Sequence, residues 1–238
     1  MPELSYDLHL HSCLSPCGDD DMLPSNIVGM AVVKGLDVIA LTDHNTSRNC
    51  PAFLELARAY GVLAIPGMEL CTSEEVHVVC LFPTLEAAMD FDRYVHRRIP
   101  PIPNDPAIFG RQLVVDADDQ VIAEEALMLI NAANISFDEV YDLVQERNGI
   151  MIPAHIEKRT NSLLSNLGMV PETSRFTCFE LKHPGYVDRL RQEHPYLQGC
   201  RMISDSDAHY LGDIHEPLFY LSVKERSVEG VLRALAEG

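Results

Sequence analysis

Along the chain, short apolar runs alternate with longer segments whose apolar positions recur every three to four residues. LSYDLHLH (4–11) alternates strictly, as a half-buried strand does. PSNIVGMAVVKG (24–35) predicts a helix, with Pro in its first turn and Gly just past its end. LDVIALTDH (36–44) is a short continuous apolar run, the mark of a strand buried in a parallel sheet. A second helix is predicted at 51–61, strands at VLAIPGMEL (62–70) and VHVVCLF (76–82), and a helix at 84–98. The Pro-rich stretch 99–120 interrupts this rhythm and is longer than an ordinary loop. Helices are predicted near 121–131 and 136–147, the second opened by Ser136 with Glu139 three residues on. Alternation resumes with GIMIPAH (149–155), a helix near 161–167, FTCFELKH (176–183), a helix near 186–193, RMISDSDAH (201–209), LFYLSV (218–223) and a last helix. Repeated βα units predict a parallel sheet, and so many in one chain predict a closed barrel. Residues 99–148 read as an insertion into a single domain spanning 1–238.

Composition narrows the function classes. The chain has 238 residues, a length that one barrel fills. No apolar run reaches the ~18 residues of a membrane span, and the first residues have neither a basic nor an apolar leader region. A soluble, cytoplasmic protein is expected. The seven cysteines are scattered and odd in number, which predicts reduced thiols rather than a disulfide framework. With 18 Lys and Arg against 36 Asp and Glu, the net charge is −18. That balance predicts no binding of long nucleic acid, which ordinarily needs a basic footprint. An anionic substrate remains compatible where divalent ions invert the local field.

The candidate chemistry sits at strand ends. On a strand, i and i+2 share a face, so His9 and His11 project together as a clamp for a divalent ion. Asp43 and His44 end another strand, Glu69 ends a third, His77 begins a fourth, and His155, Asp207 and His209 follow two more. In α/β barrels the C-terminal strand ends converge on the face where chemistry is done. Imidazole nitrogens and carboxylate oxygens delivered there have the composition of a polynuclear hydrolytic site.

The motifs DLHLHS, ALTDHN, PGMEL followed by His77, PAH and SDSDAH resemble, in order and spacing, those of the PHP (polymerase and histidinol phosphatase) domain family. The resemblance covers residues 5–82 and 150–215. It implies an α/β fold, a distorted (β/α)7 TIM-like barrel, with two or three divalent ions (Mn, Fe or Zn) and hydrolysis of phosphoesters. It places His9, His11, Glu69 and Asp207 around one ion. Glu69 would bridge to a second ion held by His77 and His155, and His44 and His209 would hold a third. The residue completing that third position is Cys17, Asp19 or Asp20. Asp19 offers the hard oxygen suited to Mn or Fe and is preferred, whereas Cys17 would favour Zn. Catalytic work is expected of Glu69, of His209 and of the cations Lys158 and Arg159 just beyond His155. Lys182 and His183 stand at another strand end. Asp7 and Asp43 are expected either to fix an imidazole tautomer or to cap loops leaving the strands.

These readings imply a metal-dependent phosphoesterase acting on a small phosphorylated metabolite or nucleotide through metal-activated hydroxide. Alternatives are an exonuclease or phosphodiesterase on short oligonucleotides, and an amidohydrolase-like metal hydrolase, which also begins with HxH. The insertion 99–148, flanked by Arg97, Arg98 and Arg111, is expected either to cap the active face and exclude long polymers or to enlarge the core peripherally.

Overall fold

The computed structural model describes residues 1–237. In chain order the strands are β1 (Glu3–Leu10), β2 (Val38–Leu41), β3 (Leu63–Cys71), β4 (His77–Leu81), β5 (Leu113–Val115), β6 (Val121–Glu124), β7 (Ile150–Pro153), β8 (Cys178–Glu180), β9 (Arg201–Ile203) and β10 (Tyr220–Ser222). The α-helices are α1 (Pro24–Lys34), α2 (Cys50–Tyr60), α3 (Leu85–His96), α4 (Pro106–Phe109), α5 (Phe137–Gln145), α6 (Leu163–Leu167), α7 (Val187–Glu193) and α8 (Val228–Ala236).

Six strands form a curled sheet in the order β10-β1-β2-β3-β4-β7. β1, β2 and β3 run parallel, with α1 and α2 as the crossovers that parallel neighbours require. Between β3 and β4 there is only the turn 72–76, so these two pair antiparallel, as do β4 and β7. The α/β class and the barrel-like curl thus hold, but the expected regular alternation of parallel strands and helices holds only in part. The parallel β8–β9 pair links to the segment after β7 on one side and to β1 on the other. The Ile156 N–H donates to the Glu180 carbonyl at 3.0 Å, and a parallel bridge joins Leu10 to Ala208.

Period-two alternation divides each strand between two environments. Leu8, Ala40, Ile65, Val79, Ile152, Cys178 and Ile203 fill the concave interior. Ile39 and Leu41 face α1 and α2, while Met68, Val78 and Cys80 pack beneath the helices on the other side. Each fully buried aliphatic or aromatic side chain contributes roughly 1.5–3 kcal/mol. This apolar layer is the floor on which the polar residues at the strand ends stand.

The insertion departs from its expected helical character. Residues 121–124 form β6, paired antiparallel with β5 across a tight turn. In that turn the Asp116 carboxylate accepts the N–H groups of Asp118 and Gln120, and Asp119 takes a left-handed φ of 60°. The Asp-rich turn folds the chain back on itself, and this local hydrogen bonding outweighs the helical spacing of the apolar residues. Helix α5 forms as expected, with the Ser136 N–H donating to Glu139 Oε2 at 2.8 Å. The segment rests on loops that leave three sheet strands. Leu113 and Val115 pack on Cys13, Asn45 Nδ2 donates to the Leu129 and Asn131 carbonyls, and the Ser73 N–H donates to the Ile135 carbonyl. Among the described residues no helix is long and apolar enough to cross a membrane.

Candidate metal centre

Getting the ligands onto one face required breaks in regular geometry. Tyr6 and Leu8 belong to the interior, but Leu10 packs outward against α1 and α2. The β1–β2 register shifts between Asp7 and Leu10, and that irregularity reverses the alternation. His9 and His11 therefore point inward above Leu8. On β3 plain alternation suffices, since Ile65, Gly67 and Glu69 share the inner face. Gly67 admits no side chain, because a Cβ there would lie 2.8 Å from Leu81 Cδ2 and 2.9 Å from the Cys80 carbonyl. Continuing β7 in extended form past inward-facing Ala154 would turn His155 outward. Instead His155 has φ 31°, and Asp207, beyond β9, has φ 53°. Positive φ in non-glycine residues is uncommon and concentrates at functional sites.

The outcome is a fully buried carboxylate ringed by imidazoles. Glu69 faces His44 Nδ1 and His77 Nδ1 at 2.9 Å, His155 Nε2 at 3.1 Å, and the Nε2 atoms of His9 and His11 at 3.3 Å. Asp207 Oδ1 lies 3.4 Å from His11 Nε2 and 3.6 Å from His9 Nε2. Ligand-capable atoms converge in three groups: His9, His11, Glu69 and Asp207; His44, Glu69 and His77; and His11, His44 and His209.

Neighbouring groups fix which nitrogen faces the centre. His9 Nδ1 donates to Glu180 Oε2 at 2.8 Å. Ser15 gives its hydroxyl proton to Asp43 at 2.8 Å, so its oxygen accepts from His11 Nδ1 at 3.0 Å. His209 Nδ1 donates to the Asp207 carbonyl at 2.9 Å. In each case Nε2 is left to bind in the centre. The two Nε2 atoms of His9 and His11 are 3.2 Å apart, and such a pair of inward nitrogens needs positive charge between or on them.

The electrostatics say the same. Burial opposes charge on His9, yet the carboxylates of Glu180, Glu69 and Asp207 hold its pKa well above the usual value. Burial works against ionised Glu69 too, but His77, His9 and His44 outweigh it and hold the carboxyl well below its usual range. Asp207 is likewise lowered, its burial overcome by His9 and His11. Burial and the positive field of His11 bring His209 down to about 3. Glu69 Oε2, His77 Nε2 and His155 Nδ1 are buried without a hydrogen-bond partner. Each such orphan costs about 1–3 kcal/mol. Divalent ions would satisfy carboxylates and imidazoles together, so this donor set fits them.

Most of the residues singled out from sequence come together here: His9, His11, His44, Glu69, His77, Asp207 and His209 in the three groups, and His155 against Glu69. Asp19 does not join them. Its carboxylate accepts the Asp21 N–H at 2.9 Å in its own turn. Lys158 Nζ lies 3.0 Å from Asp207 Oδ2, whereas Arg159 is exposed and forms no ion pair among the described residues. Lys182 Nζ donates to the Ser206 carbonyl, and the His183 N–H donates to Glu157 at 2.7 Å. Arg98 covers the Tyr94 ring and Arg111 pairs with Glu124 at 2.8 Å. Asp43 supports His11 through Ser15, but Asp7 touches no imidazole nitrogen. It accepts the N–H groups of Ser206 and His215, clamping the loop after β9 to β1.

Three residues escaped the sequence reading: Glu180, Ser15 and Asp205, whose carboxylate accepts the Leu8 N–H at 2.6 Å. A signal for Glu180 was present, since it stands two residues after Cys178 at the end of an apolar strand. Replacing Glu180 with Gln should weaken metal binding about 10–100-fold by loosening the His9 tautomer. Competition against a chromogenic chelator measures it, and unchanged affinity would remove Glu180 from this role.

The family model described as "PHP domain" matches residues 7–216. Over 79 residues the chain is 37% identical to an uncharacterised protein of Methanocaldococcus jannaschii, covering 30% of this chain and 46% of that one. Over another 79-residue match it is 35% identical to a 5'-3' exoribonuclease of Haemophilus influenzae, covering 32% of this chain and 28% of that one. The matches thus span less than half of either relative. Endonuclease Q from Pyrococcus furiosus superposes with a TM-score of 0.71 at 18% identity, over 99% of this chain and 56% of that chain. A complex of endonuclease Q with a 27-mer duplex carrying an abasic lesion at the active site superposes with the same TM-score, again at 18% identity, over 98% of this chain and 56% of that chain.

That complex overturns the expectation of no long nucleic acid. Net charge sums the whole surface, but a polyanion meets the local field at the site. Seven of the 36 carboxylates are buried (Asp7, Asp43, Glu69, Asp92, Glu125, Glu180 and Asp205), so the surface as a whole stays acidic, and a phosphate backbone would meet instead the local field of a site loaded with divalent ions.

Proposed function

This chain belongs to the PHP domain family, and we propose that it is a metal-dependent hydrolase of phosphoester bonds. The observation that carries the reading is the buried Glu69 carboxylate with five imidazole nitrogens 2.9–3.3 Å away. His9, His11, Glu69 and Asp207 would hold one divalent ion, Glu69 with His77 and His155 or His44 a second, and the His11–His44–His209 group a third. When bound, such ions supply Lewis acidity toward phosphate oxygens and lower the pKa of a water nucleophile.

The chain's own residues do the rest. Glu180 and the Ser15–Asp43 pair hold His9 and His11 in the tautomer that presents Nε2. Lys158 keeps its proton: burial disfavours it, but Asp207 outweighs burial and raises its pKa. A charged Lys158 beside Asp207 is placed to orient a phosphate oxygen as a point charge. His209, lowered to about 3, is neutral at physiological pH and suited to ligation rather than to donating a proton.

Two substrate classes compete: a small phosphorylated metabolite or nucleotide, and the phosphodiester of a nucleic acid. Similarity to an exoribonuclease and to endonuclease Q favours the second. Assaying the metal-loaded protein on p-nitrophenyl phosphate, bis-p-nitrophenyl phosphate and 5'-labelled RNA and DNA oligonucleotides discriminates them. Diester and oligonucleotide cleavage is expected, and exclusive monoesterase activity would restore the small-metabolite reading.

The insertion 99–148 is read as a wall of this site that selects substrates, because it rests on the loops following β1, β2 and β3. Shortening the β5–β6 hairpin should change relative rates among substrates by about tenfold, equivalent to 1.4 kcal/mol, with metal content intact. Equal loss on every substrate would contradict that role.

A further inference from the structure

Two buried asparagines on the loop after β2 tie the insertion to the candidate centre. Asn45 directly follows His44, is fully buried, and takes a left-handed φ of 54°. Its own N–H donates to the Glu69 carbonyl at 2.9 Å, and its Oδ1 accepts the Cys71 N–H at 2.9 Å. Its Nδ2 donates to the carbonyls of Leu129 and Asn131, in the insertion, at 2.7 and 2.8 Å. Asn49, also fully buried, stands at the N-cap of α2, where an asparagine ordinarily accepts an N–H of the helix. Here it caps no helix N–H among the described residues. Instead its Oδ1 accepts the Val115 N–H at 3.0 Å and its Nδ2 donates to the Leu113 carbonyl at 3.0 Å, pairing with β5 as a neighbouring strand would. The same Nδ2 donates to Ser12 Oγ at 2.9 Å. Ser12 in turn donates to Asp43 Oδ2 at 2.6 Å, and Asp43 accepts from Ser15, the partner of His11 Nδ1.

The chemistry of both positions calls for an amide. Asn45 meets two carbonyls and one N–H, so it must offer two donors and one acceptor, which a carboxylate cannot do. Asparagine also tolerates the left-handed backbone better than most residues. At position 49 the local preference for capping α2 is set aside for bonds to a distant strand, a conflict that marks a role beyond the helix. We propose that Asn45 and Asn49 are positioning residues that couple the insertion to the metal centre. They fix where the substrate-selecting wall stands over His44, Glu69 and His11, and ion binding at those ligands steadies the wall in return. The coupling is reciprocal, because the ions and the insertion bias the same hydrogen-bonded loop. Ions that hold His11 and His44 hold residues 44–49 too, and local opening of 113–131 becomes rarer. The inference rests on the metal-centre reading and on that of 99–148 as a wall, and adds the residues that connect the two.

Hydrogen–deuterium exchange read by mass spectrometry measures the coupling without reference to turnover. Loading chelated protein with Mn²⁺ should slow exchange in peptides spanning 113–131 about tenfold, an ordinary size for coupling between sites. Asn49→Ser separates the two roles of that residue, because serine is a good N-cap for α2 but lacks the amide that pairs with β5. Asn45→Gly keeps the left-handed backbone and removes the other amide. The Leu113 N–H on the Cys13 carbonyl and the Ala133 N–H on the Cys71 carbonyl still hold the insertion in both variants. In each, the slowing within 113–131 should fall to about twofold or less, while peptides of β1 and β3 still respond to the ion. The rate on an oligonucleotide relative to bis-p-nitrophenyl phosphate should shift about tenfold in the same variants. Exchange in 113–131 that ignores the ion in the unmodified protein overturns the proposal whatever the variants do. Full slowing in Asn49→Ser, or an unchanged rate ratio in both variants, contradicts it equally. If the protein binds ions and cleaves diesters but 113–131 does not respond, this inference alone fails. If it binds no ion, the metal-centre reading fails and takes this inference with it.

Discussion

Replacing Glu69 with glutamine is expected to reduce hydrolysis about a thousandfold or more and to strip more than one ion from the protein. Glu69 is the shared neighbour of His9, His11, His44, His77 and His155, so its charge supports two of the three ligand groups. A bound ion provides several kcal/mol of transition-state stabilisation, and about 4 kcal/mol is a factor of a thousand. Glutamine keeps the shape and one carbonyl oxygen but leaves clustered imidazoles without the counter-charge that opposes their burial. Metal counting by mass spectrometry beside initial rates checks both effects. Loss of a single ion with a rate reduced less than tenfold would show that Glu69 does not bridge.

Stripping the metal should also destabilise the fold. The ligands come from β1, β3, β4 and the segments after β2, β7 and β9, so bound ions would tie together parts of the chain far apart in sequence. An ion present at about a hundred times its dissociation constant adds roughly 2.7 kcal/mol. For a chain of this size each kcal/mol shifts the melting temperature by about 2–4 °C. A fall of roughly 5–11 °C on chelation follows. Scanning calorimetry of chelated and reloaded protein measures it, and identical melting curves would mean that the cluster binds ions too weakly to matter.

The ligand types were legible in sequence because strands of an α/β fold end where chemistry is done, and His9, His11, Glu69, His155 and Asp207 occupy such ends. What brings them together was not. The β1 irregularity that turns His9 inward and the left-handed backbone at His155 and Asp207 leave no mark in apolar spacing. Glu180 reaches His9 across 171 residues, a pairing that depends on how β8 meets the sheet. Regular parallel alternation failed at β4, where the short turn 72–76 has no room for a helix. The helix expected at 121–131 failed because the Asp116–Gln120 turn makes a hairpin. The charge argument against nucleic acid failed because it summed charge over the whole chain, whereas a polyanion meets the local field at the site.

Metal reconstitution tests the central claim most directly. Protein stripped by chelation, and shown by mass spectrometry to hold no ions, is titrated with Mn²⁺ or Zn²⁺ while hydrolysis of bis-p-nitrophenyl phosphate is followed. The account predicts negligible hydrolysis before addition and a rate that rises with bound ions until the centre is filled. Full activity in the ion-free protein would contradict it.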